Sequence, residues 1–148
     1  VLNRTKVLIS MLSNTLNTNE IKNAAGAERE FTRLSTVGRS TEFGLITEAP
    51  AYPHRLKISH QETGSGTSLR RRSIVRFERT AGGLVDTTKT EKTSCYLVLD
   101  YPIGNITAVE AGEVLANLLS FVATTGAATT VLFDGTGNGA VALLSGGL

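Results

Sequence analysis

Three stretches decide the fold: RLKISHQ at 55–61, SLRRRSIVRFERT at 68–80 and KTEKTSCYLVLDYPI at 89–103. Side chains of an extended strand point alternately to opposite faces. In the first stretch Leu56 and Ile58 therefore lie on one side, with Arg55, Lys57, Ser59 and Gln61 on the other. In the second, Ser73, Val75 and Phe77 share a face opposite Arg70, Arg72, Ile74, Arg76 and Glu78. In the third, Cys95, Leu97 and Leu99 oppose Lys92, Ser94, Tyr96, Val98 and Asp100. Each reads as a half-buried strand, and Cys95 among apolar neighbours is expected to be a small core residue.

Downstream of Pro102 the period changes. Val114, Leu115, Leu118, Leu119 and Val122 recur at helical spacing, and Thr107 followed by Glu110 forms a candidate capping box. The spacing predicts a helix over 108–123, stopped by Gly126. It contains no Lys or Arg, which suits a helix laid against a sheet or a partner subunit. Residues 127–132 fit helix or strand equally, because Thr129, Thr130 and Val131 are β-branched. Asp134 reads as a turn former, GTGNG at 135–139 as a flexible segment, and 140–144 as a short apolar tail able to contact a neighbouring subunit.

Upstream, KVLISML at 6–12 is compatible with a strand, and the Asn, Thr and Ser of 13–19 favour turns. A second strand is expected at 29–35, although Ala24 to Glu30 also tolerates a helical turn, and a third in EFGLITE, 42–48, closed by Pro50 and Pro53. Gly64-Ser65-Gly66 supplies a turn between the first two deciding stretches. The short connections require antiparallel neighbours, giving an α+β architecture of strands first and helices last. A sheet of strands near 43–48, 55–61, 69–79 and 90–101 is expected; Gly82-Gly83 opens a loop through Leu84 to Thr88, of which a few residues near 84–88 could add a fifth strand.

At 148 residues with 41% hydrophobic content, the chain suits a single domain spanning 1–148. One Cys rules out an intramolecular disulfide. There is no apolar run long enough to span a bilayer, and the start Val1-Leu2-Asn3-Arg4 lacks the pattern of a secretory signal, so the chain reads as soluble; the missing initiator Met suggests a trimmed start. The formal charge is only +2, but it is unevenly placed. Residues 1–50 carry 6 basic and 5 acidic groups, residues 51–100 carry 9 and 5, and residues 101–148 carry none and 3. Within 54–80, seven cations face only Glu62 and Glu78, which suits either a polyanionic partner or a solvated cationic strand face.

The apolar face containing Leu56, Ile58, Val75, Phe77, Leu97 and Leu99 is larger than one helix covers. Leaving about 300 Å² of it wet would forfeit roughly 7 kcal/mol at ~25 cal/mol per Å². Two subunits joining sheets edge to edge and crossing helices over one another would remove that loss and the exposed sheet edge.

The series RLKISHQ, SIVRFERT at 73–80 and SCYLVLDYPI at 94–103, followed directly by a helix, resembles the coat proteins of single-stranded RNA bacteriophages, the levivirus type. The resemblance covers roughly residues 4–134. It implies an N-terminal β-hairpin, a five-stranded antiparallel sheet, C-terminal helices, and an interlocked homodimer with a ten-stranded sheet. It further implies a capsid subunit that assembles into an icosahedral shell, packages single-stranded genomic RNA on its inner sheet surface and binds a translational operator, with the virion, and the host cytoplasm during assembly, as its location. The alternating polar positions carry over as RNA-facing residues: Arg55, Lys57, Ser59, Gln61, Arg70, Arg72, Ile74, Arg76, Glu78, Lys92, Ser94 and Tyr96. Ile74 and Val98 depart from the small polar residues of a well-known branch, so hairpin specificity is not expected to transfer.

Arg72 and Arg76 should project from one face about 13 Å apart, at ~3.3 Å per residue. Guanidinium groups suit phosphates, and Tyr96 suits either base stacking or cross-strand packing. No HExxH, CxxC, GxSxG or phosphate-loop pattern occurs, and His54 and His60 lack further ligands, so neither an enzyme nor a metal or other cofactor is expected. The alternative to a capsid subunit is a non-capsid homodimeric RNA-binding regulator.

Overall fold

The computed structural model describes residues 11–126 and 131–147. Strands β1 (Thr15–Leu16), β2 (Phe31–Val37), β3 (Ser40–Leu45), β4 (His54–Thr63), β5 (Arg70–Gly82) and β6 (Thr90–Tyr101) precede helices α1 (Ala108–Ala123) and α2 (Asn138–Ser145). The strands form one antiparallel sheet in chain order. This is the expected α+β arrangement. Most of the expected 6–12 strand lies outside the described residues, and so does 127–130; Val131 forms an isolated bridge with Thr124.

The connections explain the meander. Val37 faces Ser40 across a two-residue turn, and Gly38 takes the positive φ of +58° that such a turn requires at its first position. Pro50 and Pro53 separate β3 from β4 as expected. The strand expected at 84–88 does not form. Asp86 accepts hydrogen bonds from the Thr88 amide (3.0 Å) and hydroxyl (2.6 Å), and the Gly83 amide donates to the Lys89 carbonyl (2.8 Å). The segment thus closes as a loop with Leu84 and Val85 fully exposed. β2 supplies the fifth long strand instead, beside the expected β3, with the two-residue β1 added outside β2.

The buried core is Leu16, Phe31, Phe43, Leu45 and Leu56, with Ile21, Ile58 and Val75 packed against it. All of it lies toward the β1–β4 side. Phe43 is fully buried opposite Leu56, and the Arg33 guanidinium sits 5.2 Å from its ring centroid. Phe31 meets Phe77 edge to face at 6.1 Å.

On β5 and β6 the same face is open. Phe77 is 38% exposed, Leu97 and Leu99 are half-exposed, and Cys95 is exposed rather than buried in a core. The reason is the placement of the helices, which pack on each other. α1 occupies the expected residues, and the Thr107 hydroxyl accepts from the Glu110 amide (3.3 Å), forming one half of the expected box. Its buried residues are only Ala111 and Ala123, while Val109, Val114, Leu118, Leu119 and Phe121 (61%) are exposed. The segment expected to be flexible at 135–139 instead runs into α2. Gly137 and Gly139 have no space for a Cβ against the Val122 and Phe121 carbonyls, so glycine lets the two backbones approach.

The chain therefore has more apolar surface than it covers. It exposes 11172 Å², against roughly 7300 Å² for a compact monomer of 15.7 kDa.

Candidate nucleic-acid interface

Register fixes the opposite face of the sheet. Reading across β4, β5 and β6, Arg55–Glu78–Ser94, Lys57–Arg76–Tyr96, Ser59–Ile74–Val98 and Gln61–Arg72–Asp100 form successive cross-strand rows. Thr63 faces Arg70 and Thr80 faces Lys92 at the two ends. Strand alternation thus brings all twelve of Arg55, Lys57, Ser59, Gln61, Arg70, Arg72, Ile74, Arg76, Glu78, Lys92, Ser94 and Tyr96 to one side, away from the buried core.

Their environments differ. Glu78 is the one buried charged residue among those described, at 6% exposure. Its carboxylate pairs with Lys92 Nζ at 3.0 Å, Lys57 Nζ at 3.6 Å and the Arg76 guanidinium. Burial pushes this carboxyl upward, but the Lys92 hydrogen bond and the charges of Lys57, Arg76 and Lys92 outweigh it and hold the group below its ordinary value. Arg76 also lies over the Tyr96 ring at 4.7 Å and donates to Ser94 Oγ at 3.4 Å. Tyr96 keeps more than half its surface exposed, so cross-strand packing and an accessible ring coexist.

Arg55 is held differently. Its Nε lies 3.3 Å from Glu42, and its Nη1 pairs with Glu48. Burial raises Glu48, but the Arg55 hydrogen bond, the His54 amide and the Arg55 charge hold it low. Arg70 pairs with Asp100 at 3.1 Å. Among the described residues Arg72 makes no ion pair and is exposed, and Ser59, Ile74 and Val98 form a band of low charge between it and the Arg76 cluster.

Sequence reasoning missed Glu42, Glu48 and Asp100 as partners that neutralise cations on this face. Only Asp100 carried a signal, through its alternation with Tyr96 and Val98; the two glutamates are joined to Arg55 by the β3–β4 connection. His54 and His60 fall on the core side, facing Arg79 and Ser73. Burial, then Arg39 and Arg71, lowers His60, while burial, then Arg79 and Arg29, lowers His54. Among the described residues no group of three His, Cys, Asp or Glu side chains is placed to hold a metal, and no helix is long and apolar enough to cross a membrane.

No family model matches the chain, and no curated protein matches it. Solved structures do. The coat protein of bacteriophage EMS014 superposes with a TM-score of 0.63 at 13% identity, covering 94% of this chain and 98% of that one. The virus-like particle of bacteriophage AVE015 gives 0.54 at 11% identity over 100% and 95%, and that of Wenzhou levi-like virus 4 gives 0.52 at 13% over 74% and 75%. At these identities the likeness is one of fold: the chain has the antiparallel-sheet and C-terminal-helix fold of bacteriophage coat proteins.

Proposed function

We propose that the chain is a non-enzymatic capsid subunit that packages single-stranded RNA. Two copies interlock, each laying α1 over the open apolar face of the other's β5 and β6, and their sheets join into one of ten longer strands, β2–β6 from each copy. Such dimers build an icosahedral shell in the host cytoplasm, with the basic face turned to the RNA inside the virion. Lys57, Arg72, Arg76 and Lys92 supply phosphate contacts, Tyr96 a stacking surface, and Ser59, Gln61 and Ser94 neutral hydrogen bonds. The apolar Ile74–Val98 pair offers no hydrogen bonds to base edges, so this face binds RNA generally rather than reading one hairpin.

The observation that carries the reading is the division of one sheet into two incompatible faces. One side leaves Phe77 and Cys95 exposed and Leu97 and Leu99 only half-buried, and the other gathers the clustered cations. The fold shared with coat proteins supports the same assignment. Negative-stain imaging of the purified protein with RNA tests it: uniform closed particles are expected. A persistent small dimer that binds RNA without forming particles would instead establish a regulator.

A further inference from the structure

We propose that Glu78 is a positioning residue, whose buried carboxylate gathers Lys57, Arg76 and Lys92 from three strands into one phosphate-binding cluster without itself touching nucleic acid. The proposal rests on the RNA-packaging reading and assigns a role within that surface. A carboxylate exposed on a polyanion-binding face would repel phosphate. Glu78 lies beneath its partners: its side chain is 5% exposed, whereas those of Lys57 and Lys92 are 41% and 52% exposed. The surface presented outward is therefore ammonium and guanidinium, and the four groups together carry +2.

Geometry gives the carboxylate its leverage. Lys57 stands on β4, Arg76 on β5 and Lys92 on β6; the strand register makes these positions neighbours but does not hold three such long side chains at one point. Each has several rotatable bonds, and three like charges close together repel. The shared anion offsets the repulsion and restricts the rotamers before RNA arrives. Arg76 is fixed further by Tyr96 and Ser94. Arg55 provides the contrast: Glu42 and Glu48 surround one cation with two anions, so charge is cancelled rather than concentrated.

Charge counting and positioning predict opposite signs for Glu78→Gln. The variant gains one positive charge, so simple attraction would tighten RNA binding and steepen its salt dependence. Positioning predicts binding to an unstructured oligouridylate weakened about three- to tenfold at physiological ionic strength, as the freed side chains must be ordered on binding. The salt slope should be no steeper than the parent's, and Glu78→Asp should recover part of the loss. Binding by a folded Glu78→Gln protein that equals or exceeds the parent's overturns the proposal. If thermal melting shows that this variant does not fold, the surface variant Lys57→Gln/Lys92→Gln decides. A slope shallower by about 1.4 supports the cluster, at ~0.7 per phosphate contact on single strands, and an unchanged slope overturns it. A parent protein with no salt-dependent RNA binding would defeat the packaging reading and this proposal together, whereas normal parental binding with a tighter Glu78→Gln defeats the positioning role alone.

Discussion

The β1–β4 side of the sheet and its β5–β6 side are built from similar strands yet end in different states. Leu16, Phe31, Phe43, Leu45 and Leu56 enclose one another, with Ile21 packed against them. Phe77, Cys95, Leu97 and Leu99 continue the same face and have nothing comparable above them. The difference teaches where the folding unit ends. The first region satisfies its burial locally, whereas the second, like the apolar stripe of α1, stays open in the single chain and is the surface the proposed dimer would cover.

The largest expected effect lies in the closed region. Phe43→Ala should destabilise the protein by about 3–5 kcal/mol, because the ring is fully buried and its neighbours cannot collapse around the void. Urea denaturation measures this, and a loss below ~1 kcal/mol would show that the local core is not self-supporting. In the open region, Leu118→Asp on α1 should leave the isolated fold intact and shift light-scattering mass from dimer toward monomer, since it puts a charge into the surface assigned to the partner. A dimer indifferent to that change would break the contrast between the regions.

On the cationic face, Arg72→Ala/Arg76→Ala should leave dimerisation unchanged and make RNA binding less salt-sensitive, by about 1.4 in slope for two lost phosphate contacts. Equal slopes in variant and parent would remove these residues from the interface. The smallest effect is acid sensitivity. Glu48 and Glu78 both titrate below their ordinary value in the folded chain. Their contribution is therefore fully present above the unfolded carboxyl value, about 4.3, and is lost as pH falls through the lower folded values. Stability measured from neutral pH downward should decline through this window, and Glu78→Gln should flatten the decline. An unchanged acid profile would contradict the ion-paired state of Glu78.

Much of this was legible because periodicity and burial agree. The alternation in 55–61, 68–80 and 89–103 and the helical spacing over 108–123 specified β4, β5, β6 and α1 together with the two faces. Legibility ended where structure depends on contacts remote in sequence. The suggested fifth strand near 84–88 does not form, because Asp86 turns that segment back on itself. The glycines before α2 read as flexibility, although Gly137 and Gly139 serve close helix packing. Cys95 had the neighbours of a core residue but not the cover, which the proposed dimer would supply. The role of Glu78 was hidden for the same reason: only the β4–β5–β6 register brings its three cations together.

Adjacent residues Ser94 and Cys95 point to opposite faces, so thiol labelling tests the two-sided sheet most directly. If the proposed dimer forms, Cys95 in native protein should be protected whether or not RNA is present. In a Ser94→Cys/Cys95→Ser variant the new thiol should label readily without RNA and become protected when RNA is packaged. Rapid labelling of Cys95 in native particles, or a thiol at 94 that never responds to RNA, would contradict the account.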